Sequence, residues 1–189
     1  MRMETVQAIV VGILSSVVAS AVWILIVSRL TPKLTISPEI AEDPQSPVFR
    51  IKVINQSRRA AMDLRFDAHL VTPIGAKGGS IKRRTPLECG NAPLLLPRRI
   101  RSGTDYDNAY RLRIKSDIRQ LLSDNPHSFI RLQIFARHEV TGMGKMFERR
   151  YYHPSSEIVT GSFVHGKELA VAPEERQTRR RSEAQRDSS

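Results

Sequence analysis

The chain has 189 residues, room for one membrane segment and one domain of ordinary size. Its 30 Lys+Arg against 19 Asp+Glu give a formal charge of +11, and since Arg2 and Glu4 cancel, the whole excess lies from Arg29 onward. A lone cysteine, Cys89, excludes an intramolecular disulfide framework and the thiolate zinc sites.

From Val6 to Val27 there are 22 residues without a charge. As a helix at 1.5 Å per residue they span roughly 33 Å, matching a hydrocarbon core of about 30 Å. A cleaved signal peptide competes with this reading, because Ala19-Ser20-Ala21 offers an A-x-A site. The apolar run is longer than a signal h-region, however, and cleavage there would leave Val22-Trp23-Ile24-Leu25 at the new N-terminus. Residues 1–30 therefore read as a single transmembrane anchor. Within it Ala8, Gly12, Ser16 and Ser20 recur every four residues. Such a small-xxx-small stripe lets two helices approach closely, so homo-oligomers through this face are one expectation. Basic residues set the orientation: Arg29, Lys33, Arg50, Lys52, Arg58 and Arg59 follow the helix, against Arg2 before it. The expected location is a bacterial inner membrane, crossed once, with the C-terminal domain in the cytoplasm.

Thr31-Pro32 ends the helix, since proline cannot continue it and restricts the residue before it. From there to 172 the pattern has period two, the mark of strands with one buried and one wet face. Lys33–Ser37 and Phe49–Val53 alternate, the latter with Arg50 and Lys52 on its polar side. Asp63–Leu70 sets Leu64, Phe66, Ala68 and Leu70 against Asp63, Arg65, Asp67 and His69. Shorter strands are expected at Ser80–Thr85 and Leu94–Leu96, with Gly75–Ser80 as a flexible loop. Tyr110, Leu112 and Ile114 alternate with Arg111, Arg113 and Lys115. Ser116–Ser123 is a short capped helix with Ile118, Leu121 and Leu122 on one face. Residues 129–152 read as a hairpin turning at Thr141–Gly144, with Phe135 interrupting the wet face. A last strand is predicted over Ile158–Val164.

About seven to nine short strands and one helix are most simply a mainly β domain, a two-sheet sandwich, with a closed barrel as the runner-up. Val53-Ile54-Asn55-Gln56-Ser57, followed by Ala61-Met62-Asp63-Leu64, resembles the turn between early strands of bacterial immunoglobulin-like domains. That resemblance implies an immunoglobulin-like fold and no activity. From Pro173 the segment PEERQTRRRSEAQRDSS has almost no apolar residue, so 173–189 reads as a disordered charged tail.

No constellation for catalysis emerges. The five histidines lack helical H-E-x-x-H spacing, no G-x-S-x-G is present, and Gly75–Ser80 lacks the Walker order. Asp105-Tyr106-Asp107-Asn108 opens like a calcium loop but has Tyr110 where glycine belongs and Ser116 where glutamate belongs. The expectation is a protein that is not an enzyme and needs no cofactor. What remains is charge: Lys82, Arg83 and Arg84; Arg98, Arg99 and Arg101; Arg111, Arg113 and Lys115; and Arg149 and Arg150. If gathered into one surface, they would bind anionic lipid headgroups or an acidic protein. Nucleic acid fits less well, because aromatic platforms for stacking bases are sparse. The expected function is therefore a membrane-tethered interaction or sensing module. A self-assembling membrane effector and a motif-free enzyme stand as alternatives.

Overall fold

The computed structural model describes residues 2–44, 46, 48–99 and 108–172. Arg101, the Asp105–Asp107 part of the calcium-like segment and the charged tail at 173–189 lie outside the described residues.

The chain opens with α1 (Arg2–Arg29), whose Val6–Val27 stretch is long and apolar enough to cross a membrane, with mean hydropathy 2.6 and no burial against the rest of the protein. The Leu30 N–H closes the helix on the carbonyls of Ile26 and Val27. Among the described residues after Pro32, the chain is mainly β. The strands are β1 (Leu34–Ile36), β2 (Ile40–Glu42), β3 (Phe49–Asn55), β4 (Ala61–Ala76), β5 (Gly79–Pro86), β6 (Leu95–Leu96), β7 (Ala109–Ile114), β8 (Phe129–His138), β9 (Gly144–Tyr151), β10 (Ile158–Thr160), β11 (Ser162–Phe163) and β12 (Val171–Ala172). Two short helices, α2 (Ile118–Asp124) and α3 (Pro154–Glu157), link them.

Two larger sheets result. In the first, β3 is central: β7 pairs along one edge, and β1 and β2 follow one another along the other, all antiparallel, with β10 parallel to β2. In the second the order is β5-β4-β8-β9, and β6 pairs with the first residues of β4. Both strand orders are open, so among the described residues the domain is not a closed barrel. The inward rows of both sheets meet in one apolar cluster. Phe49, Ile51, Val53, Leu112 and Ile114 come from the first, and Leu70, Ile130, Leu132, Ile134 and Tyr151 from the second. Ile118 and Leu122 of α2 add to it, and the Asp117 side chain caps that helix on the Gln120 N–H at 3.0 Å.

The long alternating segments appear where the sequence places them, with informative differences. β4 runs to Ala76 and β5 starts at Gly79, so the expected Gly75–Ser80 loop is a two-residue turn, with Gly78 at φ +91°. The predicted strand at Ile158–Val164 is broken. Gly161, at φ +145°, leaves β10 with its N–H on the Glu42 carbonyl, and the chain turns away into the small antiparallel ribbon β11–β12. Phe135 interrupts the polar alternation because its ring lies over Gly144, where a Cβ would come within 2.5 Å of it. Lys52, expected on a wet face, is only 1% exposed, because the segment 163–168 covers the outer face of β3.

Candidate functional site

The end of the domain nearest α1 is organised by Asn55, the last residue of β3. Its Oδ1 accepts from the Ser57 N–H at 2.9 Å, which shapes the turn. Its Nδ2 lies 3.0–3.1 Å from the carbonyls of Arg59, Leu96 and Pro97, sharing two hydrogens among three acceptors. Lys33 ties the chain leaving the helix to the same turn: its N–H donates to Ser57 Oγ at 2.7 Å, and its carbonyl accepts from Gln56 N–H at 2.7 Å. Arg99 N–H donates to the Ser57 carbonyl at 2.9 Å. Three segments distant in sequence are thus pinned beneath the helix, and Lys33, Arg58, Arg59, Arg98 and Arg99 are all exposed there. Thr141 Oγ1 donates to the Leu30 carbonyl at 3.2 Å, bringing the β8–β9 turn to this end as well. A cleft of about 620 Å³ opens between Leu30 and Thr31 on one side and Arg58, Arg59 and His138 on the other. The carboxylate of Glu139 accepts from the Ala60 N–H at 3.0 Å.

The remaining basic clusters do not join this surface. Lys82, Arg83 and Arg84 pair with Pro73, Thr72 and Val71, far along β4 from the Ala61 end. At ~3.3 Å per residue, the ten to twelve steps from Ala61 to Val71–Pro73 carry them roughly 33–40 Å away. All eight residues of β5 are exposed, Ile81 63% and its partner Ile74 43%, so this hairpin stands clear of the core. Arg149 and Arg150 point to opposite faces of β9, opposite Leu132 and Arg131. Arg150 Nε donates to Glu148 Oε1 at 2.7 Å and Arg131 to Oε2 at 2.5 Å; these bonds, the Arg131 one foremost, hold the Glu148 carboxyl below the usual range. The Arg149 guanidinium carbon lies 5.9 Å from the Tyr151 ring centroid. Lys115 is spent on Glu88 at 2.7 Å.

Arg111 and Arg113 sit apart again, on the outer face of the first sheet, opposite Lys52 and Arg50. There the Lys52 ammonium donates at 2.7 Å to each of three carbonyls, of Val164, Gly166 and Glu168. Desolvation, followed by the Arg111 charge, lowers its pKa to about 8. Arg50 is paired with Asp43 at 2.5 Å.

Among the described residues no three His, Cys, Asp or Glu side chains converge as metal ligands. Cys89 is half-buried and its thiol is pushed up by that burial, away from the thiolate a nucleophile needs. Along α1, Ala8, Gly12, Ser16 and Ser20 are exposed, and the Ser20 hydroxyl is satisfied within the helix, on the Ser16 carbonyl at 2.8 Å. The proximal cleft itself was not foreseeable from any motif. The nearest signal was the run Asn55–Arg59, and nothing local in sequence joins it to Arg98 and Arg99.

No protein-family model matches the chain, and no curated protein matches it in sequence. Among solved structures, it is similar to a Northeast Structural Genomics Consortium target designated SoR45, with 17% identity over 72% of this chain and 92% of that one and a TM-score of 0.33. It is also similar to the putative ApaA protein from Bordetella pertussis, with 13% identity over 66% of this chain and 95% of that one and a TM-score of 0.31. Likenesses at this level carry no argument about fold or function.

Proposed function

We propose that the protein is a membrane-tethered, non-catalytic binding module. In this reading α1 crosses a bacterial inner membrane once, and the domain, an immunoglobulin-like sandwich, rests on the cytoplasmic leaflet. The observation that carries it is the convergence of Lys33, Arg58, Arg59, Arg98 and Arg99 at the point where an apolar helix leaves the domain. Each basic residue near an anionic leaflet contributes about 1 kcal/mol, so such a set acts together as a docking foot. It also strengthens the orientation argument, because Arg98 and Arg99, remote in sequence, count as helix-proximal in space. The cleft beside Leu30 has the size and charge to take a lipid phosphate. Away from the membrane, the hairpin carrying Lys82, Arg83 and Arg84 presents a second basic surface to an acidic partner.

The test uses the full chain in lipid nanodiscs, one set zwitterionic and one containing anionic lipid. Amide exchange at residues 56–60 and 97–99 should slow in the anionic discs alone. The quadruple variant Arg58→Glu, Arg59→Glu, Arg98→Glu, Arg99→Glu should erase the difference. Equal exchange in both discs would remove the docking foot from the account.

A second reading, self-assembly through the transmembrane helix, is favoured by the α1 stripe. Nothing lies within 4 Å of a Cβ built at Gly12, and the Ser15 and Ser20 hydroxyls bond back to the Gly12 and Ser16 carbonyls, leaving a smooth, narrow strip.

A further inference from the structure

The outer face of the first sheet carries a cavity of about 460 Å³ between β3, β7 and the loop that follows β11, lined by Lys52, Arg111, Arg113, His165 and Gly166 among others. Its charge is one-sided, with no carboxylate in its lining. The Lys52 ammonium spends all three hydrogens on backbone carbonyls, so its charge is fixed in the wall, with the Glu168 carboxylate close enough to act on it. Arg111 is partly buried, and its one hydrogen bond among the described residues is a long 3.5 Å contact with the Phe163 carbonyl. The Arg113 guanidinium has no hydrogen bond or ion pair among the described residues, although its backbone carbonyl is held by Gly90 at 2.7 Å. Two planar charged groups with free donors, Arg111 partly desolvated and Arg113 exposed at its edge, are poised for an oxyanion. Burial, and after it the nearby charge of Arg50, disfavour the Arg111 charge and lower its pKa. An incoming anion would relieve that cost.

We propose that this cavity binds a phosphate group, held between the guanidinium groups of Arg111 and Arg113 with His165 at the rim. The two arginines are two residues apart on one face of β7, hence separated by roughly 7 Å along the strand. That spacing lets both forks reach one tetrahedral anion, and a dianion offsets both charges. A carboxylate is planar, singly charged and satisfied by one fork. The same phosphate chemistry is found on soluble phosphate esters and on phospholipid headgroups. The site is separate from the docking foot, and its binding does not depend on the membrane reading. Because Phe163, Gly166 and Lys52 join the cavity to the C-terminal ribbon, occupancy should also tighten residues 162–172.

The experiment titrates inorganic phosphate and glycerol phosphate into the full chain in detergent micelles by calorimetry, with sodium chloride at matched ionic strength as control. Nanodiscs containing phosphatidic acid form a parallel arm. Saturable phosphate binding is expected, weakened roughly tenfold or more in Arg113→Gln, as loss of a charged hydrogen-bond donor implies. Arg113 is exposed, so this variant should keep the fold. Arg58→Gln, on the docking foot, should bind as the parent does. Binding to soluble phosphates identifies a free phosphate ester as the source. Protection of residues 162–172 only in phosphatidic acid discs, lost in Arg113→Gln, identifies a headgroup. A response reproduced by chloride, or unchanged in Arg113→Gln in both arms, would overturn the site.

Discussion

At the scale of the residue, Lys52 shows how far a single side chain can depart from its pattern. Alternation put it on the polar face of β3, and that register is correct. What alternation does not contain is the segment 163–168 lying across that face, which turns a wet position into a buried one. Its pKa near 8 is below the 10.5 of a free lysine, so between those values the unfolded chain binds more protons than the folded one. Stability should therefore rise with pH from about 8 toward 10, and be indifferent to this group below pH 8. Lys52→Met should remove that rise and cost about 2–3 kcal/mol at neutral pH, since three carbonyls lose a buried donor. Urea midpoints for parent and variant on either side of pH 8 measure both effects. An equal rise in the variant would assign it to other groups. Asn55 gives the complementary lesson. Its place at a turn was legible, but its three carbonyl partners come from two segments some 40 positions apart in the chain, and no local pattern encodes them.

At the scale of the element, length decided what could be read. β3, β4, β7 and β8 span six or more residues, long enough to show period two, and were found by it; β9 was found as the return arm of a hairpin turning at its glycines. β2, β11 and β12 have two or three residues and carry no period at all; they exist because of their partners. Gly161 is the hinge between β10 and β11. At φ +145° it holds a backbone that other residues adopt only with strain, so Gly161→Ala should destabilise the fold by about 1–2 kcal/mol. Thermal unfolding checks the cost, and faster amide exchange should appear first in 162–172. In α1 the stripe of small residues was legible outright, and its consequence is specific. Gly12→Ile with Ser16→Ile should abolish crosslinked oligomers in membranes while leaving insertion intact. Oligomers that persist would remove self-assembly through this face.

At the scale of the whole molecule, the sequence shows four basic clusters but not where they lie. Only pairing reveals that Lys82–Arg84 and Arg98–Arg99 sit toward opposite ends of β4. Arg149 and Arg150 are divided between the two faces of one strand, and Arg111 and Arg113 share a cavity with a buried lysine. One expected surface thus resolves into separate features with different neighbours. The proposed arrangement has a direct check. A reporter fused after residue 189 that fluoresces only in the cytoplasm should light up, and one active only outside should stay dark. The reverse pattern would place the basic foot against the outer leaflet and refute the orientation.

The C-terminal ribbon has a mechanical consequence. In the proposed membrane-anchored arrangement, a pull on the tail is delivered first to Val171 and Ala172, whose pairing with Phe163 and Ser162 runs antiparallel and peels one bond at a time. Behind it stand the three carbonyls gripped by a single ammonium, which must let go nearly together. Tension would therefore meet a soft zipper and then a stiff latch, and release of the latch would lay the face of β3 and its cations open to solvent.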